Sequence, residues 1–64
     1  MKLDHAKLDI MRARKLLTTS QLAKIANVST ATIVRKNKND VNVITIGKIA
    51  KALGVDPEEI IVKE

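Results

Sequence analysis

No cysteine and no aromatic residue occurs anywhere in this 64-residue chain. That double absence narrows the possible folds more than any single motif. A domain of about 60 residues buries only about 60% of the surface its unfolded form exposes, so small folds often lean on disulfides or metal sites. Without cysteine there is no disulfide framework, no thiolate metal site and no thiol nucleophile. The core must therefore be assembled from Leu, Ile, Val and Ala. The absence of cysteine suits a reducing cytoplasm. No apolar leader segment or long apolar run is present, so neither a signal peptide nor a membrane span is expected. Function is narrowed too. Single-strand binders and the common sheet-based RNA binders stack bases on aromatic rings, and this chain has none. Duplex readers need no such platform, because they work through charge, hydrogen bonds and methyl contacts.

The chain carries a formal charge of +5, with a pI near 9.9. Its distribution says more than its size. Between Asp9 and Asp56 lie Arg12, Arg14, Lys15, Lys24, Arg35, Lys36, Lys38, Lys48 and Lys51, against the single acid Asp40. The other acids, Asp4, Asp9, Asp56, Glu58, Glu59 and Glu64, sit toward the ends. A basic middle with acidic ends fits a polyanionic partner. It fits a solvated helix surface equally well, and charge alone does not separate the two.

Hydrophobic periodicity is helical throughout. Leu8, Met11, Ala13, Leu16 and Leu17 predict a first helix over about residues 5–16, with acids early and bases late as the helix dipole prefers. Thr18 and Gln21 form a capping-box pattern ahead of a short second helix, whose buried face is expected to be Leu22, Ala23, Ile25 and Ala26. Asn27 suits the left-handed conformation that ends helices. Ser29 is a strong N-cap for a third helix over about residues 30–37. Asn37 to Asn42 has the composition of a polar loop. Asn42 caps a fourth helix with an apolar stripe of Val43, Ile46, Ile49, Ala50 and Leu53, closed by Gly54. Gly47 inside it costs about 0.8–1 kcal/mol relative to Ala, which suggests close backbone packing. Asp56-Pro57-Glu58-Glu59 starts a fifth helix, and Ile60 to Val62 should return to the core. The expectation is one domain over residues 1–64, an all-α bundle of about five short helices.

The second and third helices, joined through Asn27-Val28-Ser29, have the form of a helix-turn-helix. Ala23 leaves room where they approach, and Val28 and Ile33 seal the corner. One face of the third helix is left outward, sized for a major groove about 12 Å wide.

The segments "LAKIANVSTATI" and "TIGKIAKALGVDPEEI", together with Arg12, resemble the Cro/repressor-type (XRE-like) helix-turn-helix family from about Leu8 to Ile61. The chain departs from that pattern in places. Thr19 stands where a phosphate-contacting Gln is frequent and Asn27 where Gly is usual. "NKN" replaces a Glu-x-Gly segment, and Lys36 takes an often apolar position. The resemblance implies a lambda-repressor-like fold and a duplex-DNA-binding regulator, with base edges met by Thr30, Ala31, Thr32, Val34 and Arg35. Arg can pair bidentately with guanine, while Thr, Ala and Val offer hydroxyl or methyl contacts. Thr18, Thr19, Ser29, Lys36, Lys38 and Asn39 are the phosphate candidates, aided by backbone N–H groups at the starts of helices two and three.

Each of these residues also has a plain structural role. Thr30, Ala31 and Thr32 are ordinary residues for a helix start, and packing is the better reading of Val34 in isolation. Arg12 is expected in a structural ion pair, and Lys48 and Lys51 on solvated surface. His5 reads as an exposed terminal histidine. No catalytic constellation, cofactor motif, metal-ligand spacing or small-molecule site is present, so no enzyme is expected. Family resemblance implies a weak homodimer, formed mainly on DNA half-sites about 34 Å apart. Its contact is placed at residues 39–44 or at Ile60-Ile61-Val62. The rival reading is a protein-interaction module that uses the same fold against an acidic partner. Membrane binding fits poorly, since the apolar faces are needed for the core.

Overall fold

In the computed structural model, residues 1–34 and 41–62 are described. They form α1 (His5–Lys15), α2 (Thr19–Ala26), α3 (Thr30–Val34) and α4 (Val43–Leu53), followed by a 3₁₀ turn at Pro57–Glu59. The all-α expectation holds. The expected fifth helix is this single turn.

The starts of the helices follow the sequence closely. The Asp4 carboxylate accepts from the Lys7 N–H at 3.2 Å. At α2 the capping box is complete: the Gln21 N–H donates to the Thr18 hydroxyl at 3.1 Å, and the Thr18 N–H donates to Gln21 Oε1 at 2.9 Å. Asn42 Oδ1 accepts from the Ile44 N–H at 2.7 Å. Each bond satisfies a donor that the helix itself leaves orphaned.

α1, α2 and α4 all end in the same way. Leu16, Asn27 and Gly54 are left-handed, with φ of 55°, 58° and 69°. In each case the next residue, Leu17, Val28 or Val55, donates its N–H five residues back, to Arg12, Ala23 or Ala50, at 3.0 Å. This is the Schellman motif, in which an apolar residue follows the left-handed one and turns inward. Leu17, Val28 and Val55 all pack against the core. Asn27 and Gly54 are the residues expected there. Leu16 corrects the expectation: α1 stops at Lys15, and Leu16 lies outside the buried face with 88% of its surface exposed. A leucine in this conformation costs about 1–2 kcal/mol. Burial of Leu17 opposes that cost.

The core is aliphatic. Leu3, Leu8, Leu22, Ala23, Ala26, Ile33, Ile46, Ile49, Ala50, Leu53 and Ile60 are buried, and no polar or charged residue among the described ones joins them. α4 is central, packing on α1, α2 and the 3₁₀ turn. Three further expected core residues are instead on the surface: Ile25 is 59% exposed, Val43 is 60% exposed and Val62, past the last turn, is 43% exposed. The buried stripes of these short helices are narrower than their apolar composition, because each faces only part of the core.

The termini supply a feature that periodicity does not reveal. Leu3 and Ile61 form an isolated antiparallel bridge. The Asp4 N–H donates to the Ile60 carbonyl and the Val62 N–H to the Lys2 carbonyl, both at 2.9 Å. This pairing explains why the helix begun at Pro57 is so short. Ile60 is fully buried and its carbonyl is claimed by Asp4, so the chain must extend after Glu59.

Gly47 is a further correction. A Cβ placed there meets nothing within 4 Å, so close packing does not explain the glycine. Gly47→Ala should therefore stabilise the protein by about 0.8–1 kcal/mol, through helix propensity alone. In thermal unfolding this appears as a rise in Tm of about 4–8 °C. An unchanged or lower Tm would show that the position is constrained by something other than space.

Candidate nucleic-acid interface

α2, the Asn27-Val28-Ser29 turn and α3 are built as a unit. Leu22, Ala23 and Ala26 bury one side of α2, and Ile33 enters the same core from α3. The left-handed Asn27 turns the chain, and Val28 packs into the corner. Ser29 then caps α3, its hydroxyl accepting from the Thr32 N–H at 3.2 Å. The Ser29 and Thr32 hydroxyls also bond to each other at 2.8 Å.

Burial of Ile33 sets the rotation of α3. At about 100° per residue, Ala31 lies nearly opposite it, with Thr32 and Val34 to either side. Thr30 and Ala31 are exposed and Thr32 is half-buried. Val34 is 57% exposed, so packing does not account for it. Of the phosphate candidates, Thr18 and Ser29 are exposed and Thr19 is half-buried. Arg35, Lys36, Lys38 and Asn39 lie outside the described residues, as do the end of the expected third helix and most of the polar loop.

Thr19 and Val34 line one open cleft of about 160 Å³, together with His5, Asp9, Arg12 and Ile33. The fold thus joins the start of α2 to the outward side of α3 across α1. Arg12 anchors this region. Its Nη2 donates to Asp9 Oδ1 at 2.9 Å, and its Nη1 donates to the Leu17 carbonyl at 3.4 Å. The structural ion pair is as expected, although Arg12 Nε is buried without a partner. His5 differs from expectation, being half-buried in the cleft rather than a free terminal side chain. His5, Asp9 and Arg12 are spaced four and then three apart, so their common helix face is legible in the sequence. Lys48 and Lys51 are exposed, as expected, and border a shallow groove beside Ile25.

The family model of the Cro/C1-type HTH DNA-binding domain matches residues 7–64. The chain belongs to this family. Its fold is similar to that of the restriction-modification controller protein C.AhdI from Aeromonas hydrophila, known from a high-resolution crystal structure. The two share 26% identity over 86% of each chain, with a TM-score of 0.74. No curated protein gives a significant match. The family is one of DNA-binding domains, and the departures at Thr19 and Asn27 leave the helix-turn-helix intact. Asn27 adopts the left-handed conformation that its position requires. Among the described residues no helix is long and apolar enough to cross a membrane, and no three potential ligands cluster to hold a metal ion.

Proposed function

We propose that this Cro/C1-type domain, a single unit over residues 1–64, is a site-specific duplex-DNA-binding transcription regulator, acting as a Cro/repressor-like switch. The observation that carries the reading is the outward face of α3, held clear of the core by the Schellman turn at Asn27 and the buried Ile33. Thr30, Ala31, Thr32, Val34 and Arg35 would meet base edges. Thr18, Thr19, Ser29, Lys36, Lys38 and Asn39 would hold phosphates, which fixes position rather than sequence. The likeness to a controller protein supports a regulatory role. The test is selection from a pool of random duplexes at moderate salt. A recovered two-fold-related motif supports the reading. Retention without enrichment reduces it to non-specific phosphate binding, and no retention at low salt overturns it.

A short recognition helix covers few base pairs, so a two-fold pair is the natural functional unit. Two exposed apolar segments suit its contact: Val43 and Ile44 at the start of α4, and Val62 at the other end of the chain. The Val41 N–H donates to the Met1 carbonyl and the Val62 N–H to the Lys2 carbonyl. Both segments are thereby tied to the same N-terminal stretch. Ile44 is 65% exposed. Ile44→Lys should leave the fold intact and weaken self-association about tenfold or more, as a charge in an apolar contact does. Sedimentation equilibrium with and without operator DNA measures this, and unchanged association would move the contact elsewhere.

A further inference from the structure

A second surface lies at the far end of α2 from Thr18 and Thr19. The shallow groove between the ends of α2 and α4 has a volume of about 440 Å³ and is lined by Ile25, Ala26, Asn27, Lys48, Lys51 and Ala52. Its apolar floor centres on Ile25, which keeps 59% of its surface in water although its chemistry suits a core. Lys48 and Lys51 are both exposed and stand one turn apart on α4. None of the lining residues is acidic. Among the described residues, neither lysine has an acidic partner. Lys15 brings a third cation to the same end of α4, its Nζ lying 3.9 Å from where a Cβ on Gly54 would stand.

We infer that this groove docks an acidic amphipathic helix of a partner protein, independently of the DNA-reading face. An apolar side chain of that helix covers Ile25 and Ala52, which removes apolar surface from water. Carboxylates flanking it meet Lys48 and Lys51, and these two charges set the sign of the partner. Apolar anchors laid into a groove are the general mode by which proteins take up a partner helix. Duplex DNA suits the groove poorly. A phosphate laid over Ile25 loses water and gains no hydrogen bond. Phosphate is favoured by the free backbone N–H groups at helix starts, whereas α2 and α4 both end here. The N–H groups of Asn27 and Val28 are already bonded, to the Lys24 and Ala23 carbonyls at 3.2 and 3.0 Å. Thr19, at the phosphate end of α2, lies about 9 Å from Ile25 along the helix axis. Ile25 thus has a reason to stay exposed in the free protein: its cover is the partner helix.

The probe is a fluorescein-labelled helical peptide of about four turns, with leucines along one face and glutamates flanking them. A scrambled peptide of the same composition is the control. In fluorescence polarisation at moderate salt, the amphipathic peptide should bind about tenfold tighter than the scrambled one. Ile25→Gln and the double reversal Lys48→Glu/Lys51→Glu should each weaken it about tenfold or more. These side chains are exposed, so the variants should keep the unfolding curve of the parent. A peptide with lysines in place of the glutamates should recover binding to the reversed variant. Equal binding of the scrambled peptide overturns the inference, leaving only diffuse positive charge. Displacement of the peptide by duplex DNA of random sequence also overturns it and makes the groove a phosphate surface. Unchanged affinity in both variants, or no binding of the peptide to the parent, overturns it as well. The operator selection tests the DNA-reading face separately, so either conclusion can fail without the other.

Discussion

Leu53→Ala should remove a large share of the protein's stability. Leu53 is fully buried on the central helix. Truncating such a leucine costs about 2–5 kcal/mol, part lost transfer energy and part cavity. At about 0.05–0.15 kcal/mol per residue, a chain of 64 residues has a total of roughly 3–10 kcal/mol. A single truncation thus removes a fifth or more of the stability, and Tm should fall by roughly 8–40 °C. The matching control is Ile25→Ala on α2, which deletes as much aliphatic side chain from an exposed site. It should shift stability by no more than about 0.5 kcal/mol. Chemical denaturation of both variants checks the contrast. Equal losses would mean that Ile25 is buried in a form of the molecule other than the monomer.

DNA affinity should be steeply salt-dependent. If Lys36 and Lys38 each neutralise one phosphate, a two-fold pair neutralises about four, giving a log–log slope near −3.6. Raising salt from about 50 to 200 mM then weakens binding roughly 150-fold. Lys36→Ala should weaken binding across all sequences and flatten the slope of the pair by about 1.8. Thr30 or Val34 substitutions should alter sequence preference instead, with little change in slope. A slope near zero would remove phosphate neutralisation from the account and favour the protein-interaction reading.

Much of the fold is legible in the sequence because helix ends are local. Asp4, Thr18, Ser29 and Asn42 cap helices within three residues of themselves, so their residue type suffices to place the starts. Asn27 and Gly54 mark ends for the same reason. The helix-turn-helix follows from these markers and from the small Ala23. The candidate site is legible to the extent that Ile33 is recognisably the inward residue of α3, since this fixes Ala31 as outward by rotation alone.

Other features depend on groups distant in the chain. Leu16 is a poor left-handed residue and reads naturally as helix. It takes that conformation because Leu17 packs on a core drawn from the rest of the molecule. Ile25 and Val43 have core chemistry, yet the buried arc of a helix depends on which neighbours cover it. Gly47 invites a packing explanation that only the empty space around it refutes. The last predicted helix shrinks to one turn because Ile60 is held by Leu8's helix cap residue, Asp4, from the far end of the chain. His5 joins the cleft of Thr19 and Val34 by the same kind of long-range placement. Helix boundaries that rest on side chains bonding their own backbone are written locally in the chain, and with them the family and the outward face of α3. The width of each buried stripe and the meeting of the two termini arise in the folded molecule, because burial and strand pairing are properties of neighbours in space.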